Sequence, residues 1–211
     1  MSMSIKKLAA CLEPGLPLPG QEAREALMPG YRRGQPQSAG RMNWRKAAVL
    51  ILLYEFDGDL HFPLILRTQG YGVHAGQVGL PGGALEAGES LAACALRECR
   101  EELGVSLDGL RILRELSPLE VAPSGFIVHP FVAHIGERPF FTPEPAEVAG
   151  FFEPGLRELL APEAIRQDSA VLDGETWRVP YFALGGQRVW GATAMILAEL
   201  KALVADAYDS P

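Results

Sequence analysis

Residues 83–105 read GALEAGESLAACALRECREELGV, a glycine-led loop running into one amphipathic helix that ends in carboxylates. On a helical wheel Leu91, Ala92, Ala95, Leu96, Cys99 and Leu103 form one apolar face, at spacings of three, four and seven. Arg97 and Arg100 point away from it. Glu98 and Glu102 are four apart and share a face, and Glu101 is three from Glu98. Glu102 falls between Leu91 and Ala95, inside the apolar arc, where packing alone does not call for a charge. Gly104 is a natural helix stop, so the three glutamates face the negative end of the helix dipole and one another. Both terms are unfavourable, and the arrangement calls for a cation. Oxygen-only ligands suit a hard divalent ion, Mg2+ or Mn2+. The alternative is a solvated acidic face, which leaves the glutamates bordering the core stripe without an explanation.

The rest of the chain bounds the answer. Its 211 residues suit one domain with an extension. A net charge of -7 argues against a nucleic-acid surface, so a polyanionic substrate would need a metal or a local basic patch. The three cysteines, Cys11, Cys94 and Cys99, are an odd number, and the last two lie five apart on one helix. They read as reduced packing residues of a cytoplasmic protein. No run approaches membrane-spanning length. Residues 1–12 have Lys6 and Lys7 but only a short apolar stretch, which argues against a signal peptide.

Residues 1–44 read as an N-terminal extension, a short helix followed by a Pro- and Gly-rich tether that wraps the domain, makes a homodimer contact or stays partly ordered. The domain itself spans 45–207. Residues 47–54 (AAVLILLY) form a buried strand, 57–59 a turn, and 61–67 a partner strand with Pro63 at a bulge or edge. Residues 69–83 read as a fixed loop lining a site, with glycines that let the backbone approach a metal or phosphates. Beyond the helix, strands are expected at 110–121, 126–135, 148–152 and 176–184. A helix is expected from Pro154 to 160, with Pro near its first position, and a closing helix at 192–207.

At this point the residues resemble a family. Gly83, five residues, Glu89, seven residues, then Arg97-Glu98-Cys99-Arg100-Glu101-Glu102-Leu103-Gly104-Val105 is similar to a complete Nudix box. Residues 64–83 (LILRTQGYGVHAGQVGLPGG) resemble the stretch before the box in coenzyme A pyrophosphatase-like Nudix hydrolases. Arg67, His74, Gly76, Gln77, Val78, Pro81, Gly82 and Gly83 fall on matching positions. Residues 116–118, 125–132 and 189–194 resemble the later strands and the W-G-x-T-A that opens the last helix. Thr68, Ile65 and Leu80 depart from the pattern, and Gly72 stands where Arg is common.

The resemblance implies an α/β (α+β) fold, an α/β/α sandwich with a mixed central sheet. It implies hydrolysis of a diphosphate by water, with divalent ions that neutralise the substrate, orient it and activate water. Glu98 and Glu102 would ligate metal directly, Glu101 directly or through water, and the Gly82 carbonyl would complete the set. Glu89 would pair with Arg97 and lock the loop to the helix; a helix-start carboxylate favoured by the dipole is compatible with this. The general base is open among Glu101, Glu144 and Glu147. Arg67 is a phosphate contact or a strand-end charge, and His74 a phosphate or metal-water partner or a loop hydrogen bond. Gln77 and Gly83 join the substrate-binding set by position. His129 reads as a satisfied core residue, and Trp190 as an anchor for the last helix, with stacking on a base as its rival. The substrate expected is a small nucleotide resembling coenzyme A or an acyl derivative, with no nucleic acid or membrane partner. ADP-ribose, dinucleotides and damaged nucleoside triphosphates remain alternatives, as does a non-catalytic nucleotide sensor.

Overall fold

The computed structural model describes residues 3–33, 43–69, 76–172 and 174–209. In chain order the first half runs α1 (Ile5–Cys11), α2 (Gly20–Arg24), β1 (Arg45–Phe56), β2 (Asp59–His61), β3 (Leu64–Arg67), β4 (Val78–Gly79), β5 (Gly82–Ala84) and α3 (Leu91–Leu103). The second half runs β6 (Arg111–Glu115), β7 (Leu119–Val121), β8 (Phe126–Glu137), β9 (Val148–Phe152), α4 (Leu156–Leu160), β10 (Ile165–Leu172), β11 (Glu175–Leu184), β12 (Gln187–Trp190) and α5 (Gly191–Asp209).

The two 12-residue strands β1 and β8 lie parallel at the centre of a mixed sheet, Arg45 opposite Phe126 and Leu53 opposite His134. Parallel neighbours need a crossover, which here includes α3. Strands β2 and β5 pair antiparallel with β1, and β6 and β7 pair antiparallel with β8. The apolar run of β1 is buried on both faces, as a central strand between helices requires. Ala48, Leu50, Leu52 and Tyr54 pack with Cys94, Ala95, Cys99 and Leu103 of α3. Ile51 and Leu53 face the other way, into a cluster with Leu8, Phe182, Met195 and Leu200. The α/β/α sandwich with a mixed central sheet is therefore present.

Several elements differ from their sequence reading. The strand expected over 61–67 divides at Phe62-Pro63. Residues 59–61 stay on β1, while β3 crosses to a separate three-stranded sheet between β4 and β9. Proline lacks the N–H that a continuous ladder needs. The expected loop over 69–83 contains β4 and β5; its glycines permit the close backbone pairing that looks like irregularity in the sequence. The strand expected over 110–121 breaks at Leu116-Ser117-Pro118 into β6 and β7. In α4 the N-cap is Gly155, and Pro154 precedes it. Strands β10 and β12 carry no clear alternation and were not anticipated; with β11 they form a third sheet, which is antiparallel.

Residues 3–33 pack against the domain. Leu8, Leu12 and Leu27 are fully buried in the cluster that includes α5. Arg24, 5% exposed, pairs with Glu199 of α5, which is 0% exposed, and donates to the carbonyls of Ser117 and Pro118. Glu199 also accepts from Ser117 N–H at 3.1 Å and from its hydroxyl at 2.6 Å. Among the described residues no helix is long and apolar enough to cross a membrane.

Removing one partner of a buried ion pair leaves the other charge without compensation. Arg24→Ala is expected to lower unfolding free energy by about 3–5 kcal/mol in urea titration. A loss below about 1 kcal/mol, within the surface-pair range, would contradict the buried-clamp reading.

Candidate active site

Helix α3 is bounded by its own sequence. Ser90 caps its start, its side chain accepting from Ala93 N–H at 3.2 Å. Gly104 ends it in the left-handed region at φ 59, a conformation glycine adopts without a Cβ penalty. The last carbonyls are claimed by the segment before β9. Thr142 N–H donates to Leu103 at 2.8 Å, and Glu144 N–H to Glu102 at 2.9 Å. That attachment carries residues 142–147 to the carboxylate end of the helix, and Thr68 N–H donates to the Glu147 carbonyl at 3.0 Å.

Glu102 is 1% exposed. One carboxylate oxygen accepts from Gly82 N–H at 2.8 Å, and the other is 3.1 Å from the Arg67 guanidinium. Arg67 also donates to the Gly82 carbonyl at 2.9 Å, so acid and base hold the two peptide groups that flank the Gly82 Cα. Burial pushes the Glu102 carboxyl up to about 7; Arg67 and the Gly82 N–H oppose this, while Glu98 and Glu147 add repulsion.

The glycines are needed here. A Cβ on Gly82 would stand 2.3 Å from the Ala48 carbonyl oxygen. A Cβ on Gly83 would stand 2.3–2.6 Å from the carboxylate of Glu98, which lies against the bare backbone. Burial raises the Glu98 carboxyl above the usual carboxylate range; Arg97 opposes this, and Glu101 and Glu147 add repulsion. The charge of Glu147 is thus felt by both helix carboxylates.

Residues 83–90 fold back over the helix and bring Glu89 to Arg97, the pairing the resemblance implies. Its guanidinium grips Glu89 through two contacts of 2.8 and 3.2 Å, and reaches Glu98 and Glu101 at 2.9 Å each and the Ala84 carbonyl at 3.2 Å. Hydrogen bonds from Arg97 and from Glu86 N–H (2.8 Å) hold the Glu89 carboxyl down at about 2. Glu101 is the exposed member of the cluster, its side chain 55% accessible.

Beside these groups lies a cleft of about 730 Å³ whose wall includes Arg67, Gln77, Gly82, Gly83, Glu147 and Trp190; Glu98, Glu101 and Glu102 lie outside that lining, with Glu98 and Glu102 reaching it through Gly83 and Gly82. Trp190 is both a cleft residue and the last residue before α5. Glu144 lies outside the cleft lining, its side chain accepting from Ala146 N–H at 3.2 Å. The His129 side chain is 13% exposed with Nδ1 2.9 Å from Glu115, so the ring is mostly buried and partnered. His74 and Gly72 lie outside the described residues. Sequence reading missed Arg45 and Phe126 on the cleft wall, and Tyr31 and Arg32 from the extension. Period-two alternation extended back along β1 from Val49 reaches Arg45; no local signal brings residues 31 and 32 to the same wall.

Among the described residues no three Asp, Glu, His or Cys side chains are gathered tightly enough to hold a metal ion. Arginines occupy the carboxylates instead: Arg97 those of Glu98 and Glu101, Arg67 that of Glu102. The donor chemistry nevertheless fits a hard divalent cation. All donors are oxygens, the glycine pair lets backbone and carboxylates approach closely, and a buried, crowded carboxylate is one whose ionisation a cation would favour.

Residues 44–173 match the NUDIX domain family. A Citrobacter koseri protein named as an uncharacterized Nudix hydrolase NudL is 34% identical over 168 residues, covering 79% of this chain and 86% of its own length. The corresponding Yersinia enterocolitica protein is 36% identical, covering 81% and 87%. Nudix hydrolase 15, mitochondrial, of Arabidopsis thaliana is 33% identical over 74% of this chain and 58% of its own length. Among solved structures, a MutT/nudix family protein from Enterococcus faecalis matches the fold with a TM-score of 0.54, at 18% identity, over 98% of this chain and 76% of that one. Matched by the family over 44–173 and by relatives over most of their own length, the chain belongs to the Nudix hydrolases.

Proposed function

We propose that this Nudix hydrolase splits the diphosphate of coenzyme A or an acyl derivative, giving 3',5'-ADP and the corresponding 4'-phosphopantetheine. The observation that carries the reading is that Arg67, Gln77, Gly82 and Gly83, all positions shared with coenzyme A pyrophosphatase-like sequences, line one cleft beside Glu98 and Glu102. The free thiols of Cys11, Cys94 and Cys99 support a cytoplasmic setting.

Glu98, Glu101 and Glu102, with the Gly82 carbonyl, would hold Mg2+ or Mn2+. Such an ion, when bound, supplies neutralisation of the diphosphate charge and activation of water. The protein supplies position. Arg67 on the cleft wall presents a guanidinium to a phosphate oxygen while fixing the Gly82 carbonyl. Glu89 and Arg97 hold the loop so that Glu98 stays against Gly83. A water oxygen attacks one phosphorus, the bridging P–O bond breaks, and the bridging oxygen leaves on the other phosphate. Glu147 is the base of choice, because it lines the cleft while Glu101 is engaged by Arg97.

Product separation after incubation with Mg2+ or Mn2+ and, separately, coenzyme A, ADP-ribose, NADH, diadenosine polyphosphates and nucleoside triphosphates tests the substrate. Release of 3',5'-ADP, with coenzyme A turned over best, is expected; preference for another nucleotide replaces the substrate and keeps the chemistry. Glu102→Gln should retain the fold, because the amide still accepts from Gly82 N–H, and should lose at least about 100-fold in kcat at saturating metal. Near-wild-type turnover would remove Glu102 from the metal set. Glu89→Gln should cost less than Glu102→Gln; the reverse order would refute its supporting role. Gly83→Ala meets only the end of a flexible side chain, so melting should barely move while displacement of Glu98 cuts kcat by about 100-fold. Unchanged turnover would mean that Glu98 need not lie where it does.

A further inference from the structure

The cleft has a second charged end. Its wall carries three arginines, Arg32, Arg45 and Arg67, against one carboxylate, Glu147, among the described residues. This cationic wall belongs to a chain of net charge -7. Arg67 serves the glycine end. Arg45 lies at the other: Val49 faces Gly82 across the β1–β5 pairing, and Arg45 is four residues further back on the same face of β1. At a strand rise of about 3.3 Å per residue that separation is about 13 Å.

The distal arginines are held in different ways. Arg45 stacks its guanidinium over the Phe126 ring, 4.2 Å from the centroid, and its backbone N–H donates to Gly125 at 3.0 Å. Among the described residues it pairs with no carboxylate. Stacking fixes the plane of the guanidinium and leaves its N–H edge available to a planar or tetrahedral anion. Arg32 is tethered through one N–H, donating to the Glu120 carbonyl at 2.9 Å. Its turn sits close against β11, where a Cβ on Gly30 would be 3.3 Å from Trp177 and 3.4 Å from the Arg178 carbonyl. Tyr31 adds an aromatic ring to the same wall.

We propose that Arg32 and Arg45 form a second anion subsite, which takes a phosphomonoester carried on the nucleoside part of the substrate, away from the diphosphate that is cleaved. The inference rests on the cleft accepting a nucleoside diphosphate derivative. It assigns the residues of the N-terminal extension a share in selecting that derivative: a substrate with the extra phosphate is preferred over the same molecule without it.

The test uses the full-length protein and R32A, R45A and R32A/R45A variants. One arm measures kcat/KM with Mg2+ for coenzyme A and for dephospho-coenzyme A, which lacks only the ribose phosphomonoester. The other measures Kd for 3',5'-ADP and 5'-AMP by calorimetry. The double variant should lose about 10–100-fold in kcat/KM on coenzyme A and less than about threefold on dephospho-coenzyme A, with kcat unchanged. Its Kd for 3',5'-ADP should rise by a similar factor, and that for 5'-AMP should stay constant. Equal losses on both substrates, or no loss on either, overturn the subsite. If the wild type hydrolyses neither, the proposed substrate falls and binding decides the subsite. Tighter binding of 3',5'-ADP than of 5'-AMP that disappears in the double variant sustains it, and equal binding of the two by the wild type overturns it.

Discussion

One buried carboxylate, held at the backbone of one glycine, sets the geometry of the site. Glu102 takes the N–H of Gly82 while Arg67 takes the carbonyl and the second carboxylate oxygen. Burying an ionisable acid without partners is costly, so helix α3, strand β5 and strand β3 have to meet at that point. The sheet and the helix layer are thereby locked together at the edge of the cleft, not only through the apolar face of α3. The absence of side chains on Gly82 and Gly83 is part of the same constraint, since any Cβ would meet backbone in one case and the Glu98 carboxylate in the other.

Around this point the acidic cluster is kept from flying apart by arginine. Arg97 reaches Glu89, Glu98 and Glu101 at once, and Arg67 balances Glu102. The cost of gathering like charges at the negative end of a helix is offset by two cations that come from the same loop-and-helix unit and from a neighbouring strand. The segment before β9 completes the arrangement by taking the helix's last free carbonyls, which carries Glu147 close enough for its charge to be felt by Glu98 and Glu102.

Much of this was legible in residues 83–105. The periodicity of Leu91 to Leu103 gave the helix, Gly104 its end, and the angular position of Glu102 its burial, because these depend on neighbours within a few residues. The further reach of Arg97 to Glu98, Glu101 and the Ala84 carbonyl was not legible there, because a helical wheel has no term for a loop that folds back on its own helix. The division of 61–67 between two sheets, and of 110–121 into two strands, turns on Pro63 and Pro118, which mark an interruption without saying where the chain goes next. Strands β10 and β12 have little alternation, and their pairing is decided by β11 between them. Arg32 and Arg45 reach one wall through contacts between distant parts of the chain, which no local pattern encodes.

The clamp between Arg24 and Glu199 joins residues 175 positions apart. On the ribosome, the strands and helix that hold the carboxylate cluster emerge well before α5 does. Until Glu199 leaves the exit tunnel, Arg24 has no buried acid to pair with, and Leu8, Leu12 and Leu27 lack the helix that covers them. The wall that residues 31 and 32 contribute to the cleft is therefore one of the last features of the molecule to be assembled during synthesis. A nascent chain can carry a formed carboxylate helix while its nucleotide cleft is still open at the far side.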